Sequence, residues 1–446
     1  MRASPARGPR STIALVSLGL ACVAVLAFAT AGCDDSASLS REGTGGHPGA
    51  GGAVGGTGAG GSSAMGGAGG SGVGGTTGAG GAAPDAGRDA ARDGSTDSSD
   101  VRGAVDGGGD GGGSSSPGVI AAGVRWFGRI DATNAAAPRF SWSGNGFEAR
   151  FSGTALAAQL SNTGAFIYKA VVDGQPQPTF VTTAGQGTYV LASGLAAGTH
   201  TVQLFRQTEG SQGDSQLLGL TVTGGSLMTP PPAPGRLIEI IGDSISCGYG
   251  TLGTTADTNC FASESHWDTC GAVAARTLGA DLSTIAMSGQ GVYRNYGGDM
   301  MNTLPMVYGR ALTNDTTPSW DFRTQPQAVV INLGTNDISN NKGDPGQPFL
   351  QAYVGLTQAA RSRYPSALIV CIIGPLLSGT DLATIRGYIT TAVAMRRAAG
   401  DTNIEFFDML SPQTADKAAC AFHPNPAENQ LVAALLVTEL RVRLGW

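Results

Sequence analysis

A serine that directly follows an apolar run is the first residue with the potential for chemistry. Residues 236–244 read Arg-Leu-Ile-Glu-Ile-Ile-Gly-Asp-Ser, which predicts a β-strand that ends just before Ser244. A serine at such a strand end can act as a nucleophile, with a helix beginning there that turns its positive end toward the site. The alternative interpretation is that Asp243 or Ser244 only caps that helix.

Two further predicted strand ends carry hydrogen-bond donors. Gly289 and Gly291 offer backbone N–H groups without side-chain bulk, and Asn336 offers a side-chain amide. Transfer of an acyl group needs such donors around the negative oxygen that develops in the transition state. We expect the neighbouring Asp337 to brace its loop rather than to react.

The chain has only 4 histidines, and one of them is placed to act as a base. His47 lies in a low-complexity stretch, and His266 lies in a polar loop. His200 lies in a predicted strand, where a structural role is favoured. His423 lies between the last predicted strand and the last predicted helix. We therefore predict that His423 is the general base that activates Ser244.

Around these residues, predicted strands alternate with predicted helices. The strands are predicted at 237–241, 282–286, 328–333, 367–373 and 404–407, and the helices at 349–364, 382–399 and 428–444. Such alternation indicates a parallel sheet with helices on both faces. In sheets of this kind the functional site lies beyond the carboxyl ends of the strands, where we expect Ser244, Gly289 and Asn336 to meet.

Residues 119–225 follow a different pattern. Apolar and polar residues alternate in short runs, and turn signals separate the runs. This pattern predicts an all-β sandwich or jelly roll, which we place at residues 118–228. A proline-rich linker at 230–234 separates it from the α/β domain, which we place at 236–446.

The N-terminus has the features of an export signal. Three arginines precede an apolar run at 12–29, and small residues precede Cys33. The run from Thr30 to Cys33 resembles a bacterial lipobox, in which the cysteine is lipidated, although Thr30 stands where leucine is preferred. We expect residues 1–33 to direct export and Cys33 to anchor a lipoprotein in the bacterial cell envelope. Plain secretion and an uncleaved anchor are the alternatives.

Residues 34–117 consist mainly of glycine, alanine, serine, threonine and aspartate. They hold too little apolar surface to offset the entropy of ordering, so we predict a flexible tether. The formal net charge is -6, which argues against a nucleic-acid partner because phosphates require a basic surface. We expect a monomer that meets the membrane only through its lipid.

Five cysteines remain beyond the signal segment and Cys33, at positions 247, 260, 270, 371 and 420. Exported proteins tend to pair their cysteines, and an odd number leaves at least one of them free. We expect Cys371 to pair with Cys420, and two of the other three to form a local pair.

Taken together, these motifs resemble a known family. Gly242-Asp-Ser, Ser288-Gly289, Gly334-Thr-Asn-Asp and His423 are similar to the four motif blocks of SGNH (GDSL-type) hydrolases. More narrowly, residues 119–446 resemble carbohydrate esterase family 2. The strings that carry this resemblance are Phe140-Ser-Trp-Ser-Gly-Asn, Gly242-Asp-Ser-Ile-Ser-Cys-Gly-Tyr-Gly, Ser288-Gly-Gln-Gly-Val-Tyr-Arg-Asn-Tyr and Cys420-Ala-Phe-His-Pro-Asn.

The resemblance implies a jelly-roll domain packed on an SGNH domain with a parallel five-stranded sheet. It implies removal of O-acetyl groups, often at the sugar 6-position, from polysaccharides such as xylan or glucomannan, without a metal or another cofactor. By the family pattern Ser244 attacks and His423 is the base. The N–H groups of Ser244 and Gly289 and the amide of Asn336 hold the oxyanion.

One position departs from the pattern of the superfamily. Many SGNH enzymes carry an aspartate two or three residues before the histidine, where it orients the ring. Here those positions are Ala421 and Cys420. Some relatives work with a Ser–His dyad whose histidine is oriented by a main-chain carbonyl, and we expect the same of this chain. Asp416 is a weaker candidate for a displaced acid.

The substrate surface is the least defined part of the prediction. Tyr249, Trp267, Tyr293 and Arg294 lie in loops beside the motif blocks and are candidates for stacking on a sugar ring. Ordinary loop packing is the alternative for each of them.

Two other functions stay open at this point. A lipase or thioesterase of the same superfamily would need a long apolar groove, whereas these loops are polar and rich in glycine. A catalytically decayed carbohydrate-binding surface protein is suggested by the missing aspartate. It is opposed by the presence of Ser244, Gly289, Asn336 and His423.

Overall fold

The computed structural model describes residues 123–409 and 414–446. The predicted export signal at 1–33, the predicted lipidation site Cys33 and the predicted tether at 34–117 lie outside the described residues. Among the helices of the described residues, none has the length and apolar character needed to cross a membrane.

The N-terminal domain consists of two antiparallel β-sheets, which confirms the all-β prediction. Its strands are β1 (Val124–Phe127), β2 (Arg139–Phe140), β3 (Gly146–Gly153), β4 (Ala155–Asn162), β5 (Ile167–Val172), β6 (Gln175–Val181), β7 (Gly185–Ala192), β8 (Gly198–Arg206), β9 (Ser215–Thr223) and β10 (Ser226–Met228). One sheet has the order β1-β3-β8-β5-β6, with β10 also paired to β3, and the other has the order β2-β9-β4-β7. The jelly-roll connectivity stays a prediction.

Alternation of apolar residues builds the core of this domain. Side chains two positions apart along a strand point to the same face, so one face of each sheet is apolar. In β3, Phe147, Ala149 and Phe151 are buried, and in β4 Leu156 and Leu160 are buried in the same cluster. Burial of these side chains between the two sheets is the main source of stability for the domain.

The sequence pattern does not predict the strands β6, β9 and β10. Strand β6 reads Gln-Pro-Gln-Pro-Thr-Phe-Val, lies at the edge of its sheet and is largely exposed. An edge strand tolerates proline and polar residues because one of its sides needs no ladder partner. Its pairing with β5 therefore forms without the apolar alternation that sequence analysis uses.

The C-terminal domain is a parallel five-stranded sheet, as predicted. Its strands are β11 (Leu237–Gly242), β12 (Asp281–Ala286), β13 (Ala328–Asn332), β14 (Leu368–Ile372) and β15 (Ile404–Phe406), in the order β12-β11-β13-β14-β15. The helices are α1 (Ser244–Cys247), α2 (Cys270–Leu278), α3 (Leu304–Val307), α4 (Thr335–Ile338), α5 (Gly346–Arg363), α6 (Gly379–Ala398) and α7 (Pro426–Leu444).

Helices cover both faces of this sheet. Phe349 of α5 and Ile389 of α6 belong to the apolar cluster on one face. Leu278 of α2 and Leu436 of α7 belong to the cluster on the other face. The three predicted helices are confirmed, and each begins earlier than its apolar pattern indicates. Helix α7, for example, begins at Pro426 because Asn425 caps it, and proline is favoured in the first turn.

The predicted disulfide pairing is wrong. The structure pairs Cys260 with Cys420, and Cys247, Cys270 and Cys371 are free and buried. Cys371 lies within β14, an interior strand hydrogen-bonded to β13 and β15, where its side chain packs in the core. Cys260 and Cys420 instead lie in two loops that meet.

Buried ion pairs join the two domains. Arg129 of the N-terminal domain is fully buried and pairs with Glu239 of β11 at 3.2 Å. Arg125 of β1 bonds both Glu148 of β3 and Asp281 of β12. Because a buried charge is costly when unpaired, these arginines fix how the all-β domain sits on the parallel sheet.

Candidate active site

Three neighbouring strands bring the predicted site residues to one edge of the sheet. Ser244 follows β11, Gly289 follows β12 and Asn336 follows β13. Strand β11 lies between β12 and β13, and all three are parallel. The carboxyl ends of the strands therefore meet, as predicted, at the edge where sites of this fold class form.

The cap of the helix is Asp243, which leaves the hydroxyl of Ser244 available for the predicted role as nucleophile. The carboxylate of Asp243 accepts a hydrogen bond from the backbone N–H of Ile245 at 3.0 Å, so Asp243 is the N-cap of α1. The hydroxyl of Ser244 lies 2.7 Å from Nε2 of His423. Ser244 is 7% exposed, so its oxygen is accessible but mostly shielded from water. This geometry suits a serine that transfers its proton to the imidazole.

A backbone carbonyl, and not a carboxylate, faces the other nitrogen of the ring. Nδ1 of His423 lies 3.3 Å from the carbonyl oxygen of Cys420. The side chain of Asp416 is exposed, and its pKa is lowered by a hydrogen bond from the Thr414 hydroxyl and by Lys417. Asp416 is therefore engaged away from the imidazole. The carbonyl of Cys420 favours the tautomer in which Nδ1 carries the proton and Nε2 is free to accept one from Ser244.

Burial lowers the pKa of this imidazole. Desolvation lowers the pKa of His423, and the backbone carbonyls of Cys420 and Ala421 oppose the shift in part. A lowered pKa leaves the free-base form present at a pH where an ordinary histidine is already protonated. A general base must be unprotonated to act, so the environment favours the catalytic form.

A pH profile tests this interpretation. We expect the acid limb of kcat/KM for an aryl acetate to lie below the ordinary histidine pKa of about 6.5, because protonation of His423 is what abolishes activity. Burial, followed by the charge of Asp337, raises the pKa of the nearby Asp243 to about 7. An inflection near that pH should therefore disappear in Asp243→Asn, which can still cap α1. An acid limb above the ordinary histidine value in both proteins would contradict the prediction.

Two backbone N–H groups at the site are free to bind an oxyanion. Within residues 123–409 and 414–446, no acceptor pairs with the N–H of Ser244 or of Gly289. Gly289 has φ of 77°, a conformation that glycine adopts without strain, and the space where a Cβ would stand is open. Both groups can thus donate to a negative oxygen formed beside Ser244.

The amide of Asn336 holds the Gly289 loop against the strand ends. Its Nδ2 donates to the carbonyl of Gln290 at 2.8 Å and lies 3.4 Å from a carboxylate oxygen of Asp243. The first contact is a strong hydrogen bond and the second is a weak one. Donation to an oxyanion therefore requires a rotation of the whole amide that gives up the weak contact with Asp243.

Asp337 braces the loop that follows Gly289, as predicted. Its carboxylate accepts the backbone N–H groups of Val292, Tyr293 and Arg294 at 2.8–3.0 Å. Burial raises the pKa of Asp337, and these three donors oppose the shift because they stabilise the ionised form. The side chain is thereby fully used for structure.

The four predicted substrate residues separate in the structure. Tyr249 lies beside the base, with its ring 5.1 Å from that of His423. Tyr293 packs against the core, and the guanidinium of Arg294 donates to the carbonyls of Asp337, Lys342 and Gly343.

Trp267 lies apart from the other three. Its indole stacks under the guanidinium of Arg276 at 3.7 Å. It lines a cavity of about 390 Å³, and neither Ser244 nor His423 lines that cavity. The structure thus does not bring Trp267 together with the serine and the histidine.

Other histidines serve the scaffold. His266 is buried, lies 2.8 Å from the Thr284 hydroxyl, and has a pKa lowered to about 3 by burial. His200 lies 2.7 Å from a carboxylate oxygen of Asp173, which raises its pKa. Neither imidazole contacts Ser244 or His423 among the described residues.

Three residues near Ser244 and His423 were not among the predicted site residues. Phe422, which precedes the base, is 66% exposed, and Tyr296 is 51% exposed beside Gly289. Both residues lie within the sequence strings that carry the family resemblance, so an aromatic residue in those strings was a usable signal. Glu209 is the third, and it comes from the N-terminal domain to bond Ser288. Since 79 residues separate the two, no local pattern could have indicated this contact.

The disulfide lies next to the group that orients the base. Cys420 provides the carbonyl for His423 and is bonded to Cys260. Gly250 makes room for this bond, since a Cβ at Gly250 would stand 2.7 Å from Cβ of Cys420. The disulfide therefore ties the histidine loop to the segment that follows α1 and Ser244.

Removal of the disulfide should lower both stability and turnover. We expect a Cys260→Ser/Cys420→Ser variant to lose about 2–5 kcal/mol of unfolding free energy, because the bond closes a long loop. We expect kcat to fall roughly 10-fold or more, because a small displacement of the base is costly. A reductant should lower the activity of the parent protein to that of the variant and leave the variant unchanged. Equal kcat in the variant and the parent would contradict the second expectation.

The fold and this geometry define a class of protein: ester hydrolases with a serine nucleophile at the carboxyl edge of a parallel sheet. Comparison with known proteins agrees. Residues 126–232 match the family "Carbohydrate esterase 2 N-terminal" and residues 240–431 match the "GDSL-like Lipase/Acylhydrolase family".

Individual relatives narrow the class to a family. The chain is 37% identical to the solved structure of a family two carbohydrate esterase from Clostridium thermocellum in complex with cellohexaose. The match covers 73% of this chain and 100% of that one, with a TM-score of 0.70. It is 36% identical to the cellulase/esterase CelE of Acetivibrio thermocellus over 75% of this chain, and spans 41% of that longer protein. It is 28% identical to an acetylxylan esterase/glucomannan deacetylase of Cellvibrio japonicus, over 74% of this chain and 93% of that protein. The chain belongs to carbohydrate esterase family 2.

Proposed function

We propose that this protein removes O-acetyl groups from a polysaccharide of the xylan or glucomannan type. The observation that carries the proposal is the 2.7 Å contact between the Ser244 hydroxyl and Nε2 of His423, beside two backbone N–H groups that have no acceptor among the described residues. The relative from Cellvibrio japonicus is named an acetylxylan esterase/glucomannan deacetylase, which supports this choice of substrate.

The first half of the reaction is transfer of the acetyl group to the enzyme. The hydroxyl oxygen of Ser244 attacks the acetyl carbonyl carbon while its proton passes to Nε2 of His423. The carbonyl oxygen becomes negative and is held by the N–H groups of Ser244 and Gly289 and the amide of Asn336. The bond to the sugar oxygen then breaks, and that oxygen leaves with the proton from His423.

The second half releases acetate. A water molecule gives a proton to Nε2 of His423 and attacks the acetyl-Ser244 carbonyl carbon. The same donors hold the second oxyanion. The bond to Ser244 breaks, the serine oxygen recovers the proton from His423, and acetic acid leaves and ionises in water. The carbonyl of Cys420 favours one ring orientation through both halves, so the pair works as a dyad without a carboxylate.

Exposed aromatic rings support a sugar substrate. Tyr249 is T-shaped to His423, and Tyr296 and Phe422 lie exposed beside the oxyanion donors and the base. Aromatic faces bury sugar C–H groups while the hydroxyl groups stay wet, which suits a polysaccharide that remains in water. We place the acetylated sugar between these rings.

An acetate-release assay on the full chain tests the proposal. The substrates are an aryl acetate, acetylated glucomannan, acetylated xylan and an aryl ester of a long-chain acid, with Ser244→Ala as the parallel control. We expect release from at least one polysaccharide that disappears in Ser244→Ala. Preference for the long-chain ester would assign the chain to the lipases or thioesterases instead. No release from a folded protein that still binds polysaccharide would assign it to the catalytically decayed carbohydrate-binding proteins.

We also propose that the protein is exported and anchored by lipid at Cys33, with residues 1–33 as the signal and 34–117 as the tether. The support is the sequence alone, in which small residues precede Cys33 at the end of an apolar run. Labelling of a bacterial host with a palmitate analogue tests this proposal. We expect label on the parent chain in the membrane fraction and none on Cys33→Ala, whereas a soluble, unlabelled parent chain would refute the anchor.

We infer a jelly roll for the N-terminal domain, within the proposed bounds of 118–228. In a jelly roll, eight strands alternate between two sheets. The orders β2-β9-β4-β7 and β3-β8-β5-β6 support this. Successive strands change sheet at each step from β2 to β5 and again from β6 to β9, and only the step from β5 to β6 stays within one sheet. A crystal structure with a different strand order would overturn the inference.

A further inference from the structure

A buried carboxylate from the N-terminal domain contacts the oxyanion loop of the other domain. Glu209, which follows β8, is 1% exposed. Its Oε2 accepts the backbone N–H of Ser288 at 3.1 Å and also the Ser288 hydroxyl. Ser288 directly precedes Gly289. We propose that Glu209 is a positioning residue that fixes the Ser288–Gly289 peptide so that its N–H points at the oxyanion, an inference that rests on the proposed function.

Glu209 is itself held in place from several directions. The hydroxyl of Ser211 donates to its Oε1, and its own backbone N–H donates to Glu264 at 3.1 Å. The guanidinium of Arg206 donates to its carbonyl at 3.3 Å. A buried side chain that is already fixed by hydrogen bonds can hold a neighbouring group in place without losing further conformational entropy. A positioning residue requires this property.

Two ionisable groups lie close to Glu209. Burial, followed by the negative charge of Glu209, raises the pKa of Glu264 to about 9. Glu264 is therefore neutral near pH 7, and the pair does not place two negative charges together. Arg206 is fully buried and attracts Glu209, which offsets the repulsion that a lone carboxylate would exert on an oxyanion. Hydrogen bonds to an ionised acceptor are roughly twice as strong as those to a neutral one.

Glu209 also lies near the helix that begins with Ser244. Burial raises the pKa of the Cys247 thiol in α1, and the negative charges of Glu209 and Glu264 raise it further. Helix α1 begins at Ser244. Glu209 therefore bonds the segment after β12 and lies near the helix that follows β11.

Hydrogen bonds before and after Gly289 restrict the orientation of its backbone N–H. Glu209 holds Ser288 before it, and Asn336 holds the carbonyl of Gln290 after it at 2.8 Å. The backbone N–H of Tyr296 donates to the carbonyl of Gly289 at 2.8 Å. Donors that are fixed before the reaction need no reorganisation when the charge develops, and this is how an oxyanion site accelerates acyl transfer. The N-terminal domain thus completes the active site through one side chain.

The test compares Glu209→Ala with Glu148→Ala in the full chain. Glu148 is a matched control because it is also a buried carboxylate of the N-terminal domain, and it bonds Arg125, which bridges to the other domain. For an aryl acetate we expect Glu209→Ala to lower kcat by roughly 10- to 10²-fold, with KM within about 2-fold of the parent value. We expect Glu148→Ala to lower the Tm and to leave kcat unchanged.

Two further variants show whether Glu209 acts through Ser288. Glu209→Gln keeps an acceptor for the Ser288 N–H, so it should lose less activity than Glu209→Ala. Ser288→Ala combined with Glu209→Ala should be no slower than Glu209→Ala alone, because both changes release the same loop. A kcat for the double variant well below that of Glu209→Ala would overturn the proposal. An equal loss of kcat in Glu148→Ala would overturn it too, because general loosening of the domains would then explain the effect.

Hydrogen exchange provides a readout that does not need enzymatic activity. The amides of Gln290 and Tyr296 donate to the carbonyls of Met287 and Gly289, so their protection reports the order of the loop. We expect faster exchange at both in Glu209→Ala and parent-like exchange in Glu148→Ala. Unchanged exchange in Glu209→Ala would overturn the proposal even if the parent chain releases no acetate, which separates this failure from that of the proposed function.

Discussion

Replacement of Ser244 with alanine is expected to lower kcat for an aryl acetate by roughly 10⁴- to 10⁶-fold, and His423→Gln should cost about as much. In the proposed first step the hydroxyl oxygen of Ser244 attacks the acetyl carbon, and His423 takes the hydroxyl proton across a contact of 2.7 Å. The two residues are expected to act as one unit, because the hydroxyl is a weak nucleophile without the imidazole and the imidazole provides no nucleophile to form the acetyl-enzyme. Steady-state and single-turnover rates on purified proteins measure the losses.

The double variant and a remote histidine are the controls for this prediction. Ser244→Ala/His423→Gln should be no slower than either single variant, since residues that act as one unit are not additive. His200→Gln, which removes an imidazole bonded to Asp173 in the N-terminal domain, should keep parent activity. Losses that multiply would indicate that the two residues act separately.

Asp416 decides whether the pair is a dyad. Its carboxylate is exposed and engaged with Thr414, while Nδ1 of His423 faces the carbonyl of Cys420. We therefore expect Asp416→Asn to keep kcat within about 2-fold of the parent value, the range of a surface substitution that touches no catalytic group. A loss of most activity in a folded Asp416→Asn protein would make Asp416 the missing acid and end the dyad proposal.

Replacement of Asn336 with alanine is expected to lower kcat by roughly 10²- to 10³-fold, the cost of one oxyanion donor in related chemistry. The amide donates to the carbonyl of Gln290 at 2.8 Å and makes a weak contact with the carboxylate of Asp243 at 3.4 Å, and we propose that it exchanges this weak contact for the oxyanion. Loss of the amide removes a donor and also releases the Gly289 loop. Both effects fall on the transition state, so KM should change little.

Asn403→Ala is the matched control for that measurement. Asn403 donates an amide hydrogen bond to the carbonyl of Ser366 at 3.1 Å, away from the strand ends that carry the site. Its loss should leave kcat and KM at the parent values. A large rise in KM with unchanged kcat in Asn336→Ala would instead show that the amide binds the ground state and not the oxyanion.

The role of the N-terminal domain changes how the family resemblance is interpreted. A sandwich next to a catalytic domain could serve as a glycan-binding module or only as support. Here Arg125 and Arg129 fix its position on the sheet, and Glu209 extends from it to Ser288. We thus propose that the N-terminal domain contributes to catalysis through the contact of Glu209 with Ser288 and not through a separate binding site.

The parallel sheet and the residues at the carboxyl ends of its strands could be predicted from the sequence alone. Apolar strands between helical segments admit one architecture, and in that architecture the strand ends meet. Ser244, Gly289 and Asn336 lie two to four residues beyond such ends, so their convergence could be predicted from strand order without any knowledge of side-chain packing. His423 was identified by the same placement rule.

Tertiary structure alone decided the contacts between segments far apart in the chain. Cys260 bonds Cys420 across 160 residues, where the sequence favoured Cys371. Glu209 meets Ser288, and Trp267 turns to Arg276 and away from the serine. The physical reason is that local patterns report which face of an element is apolar, whereas such pairings depend on the distances between loops after the layers have packed.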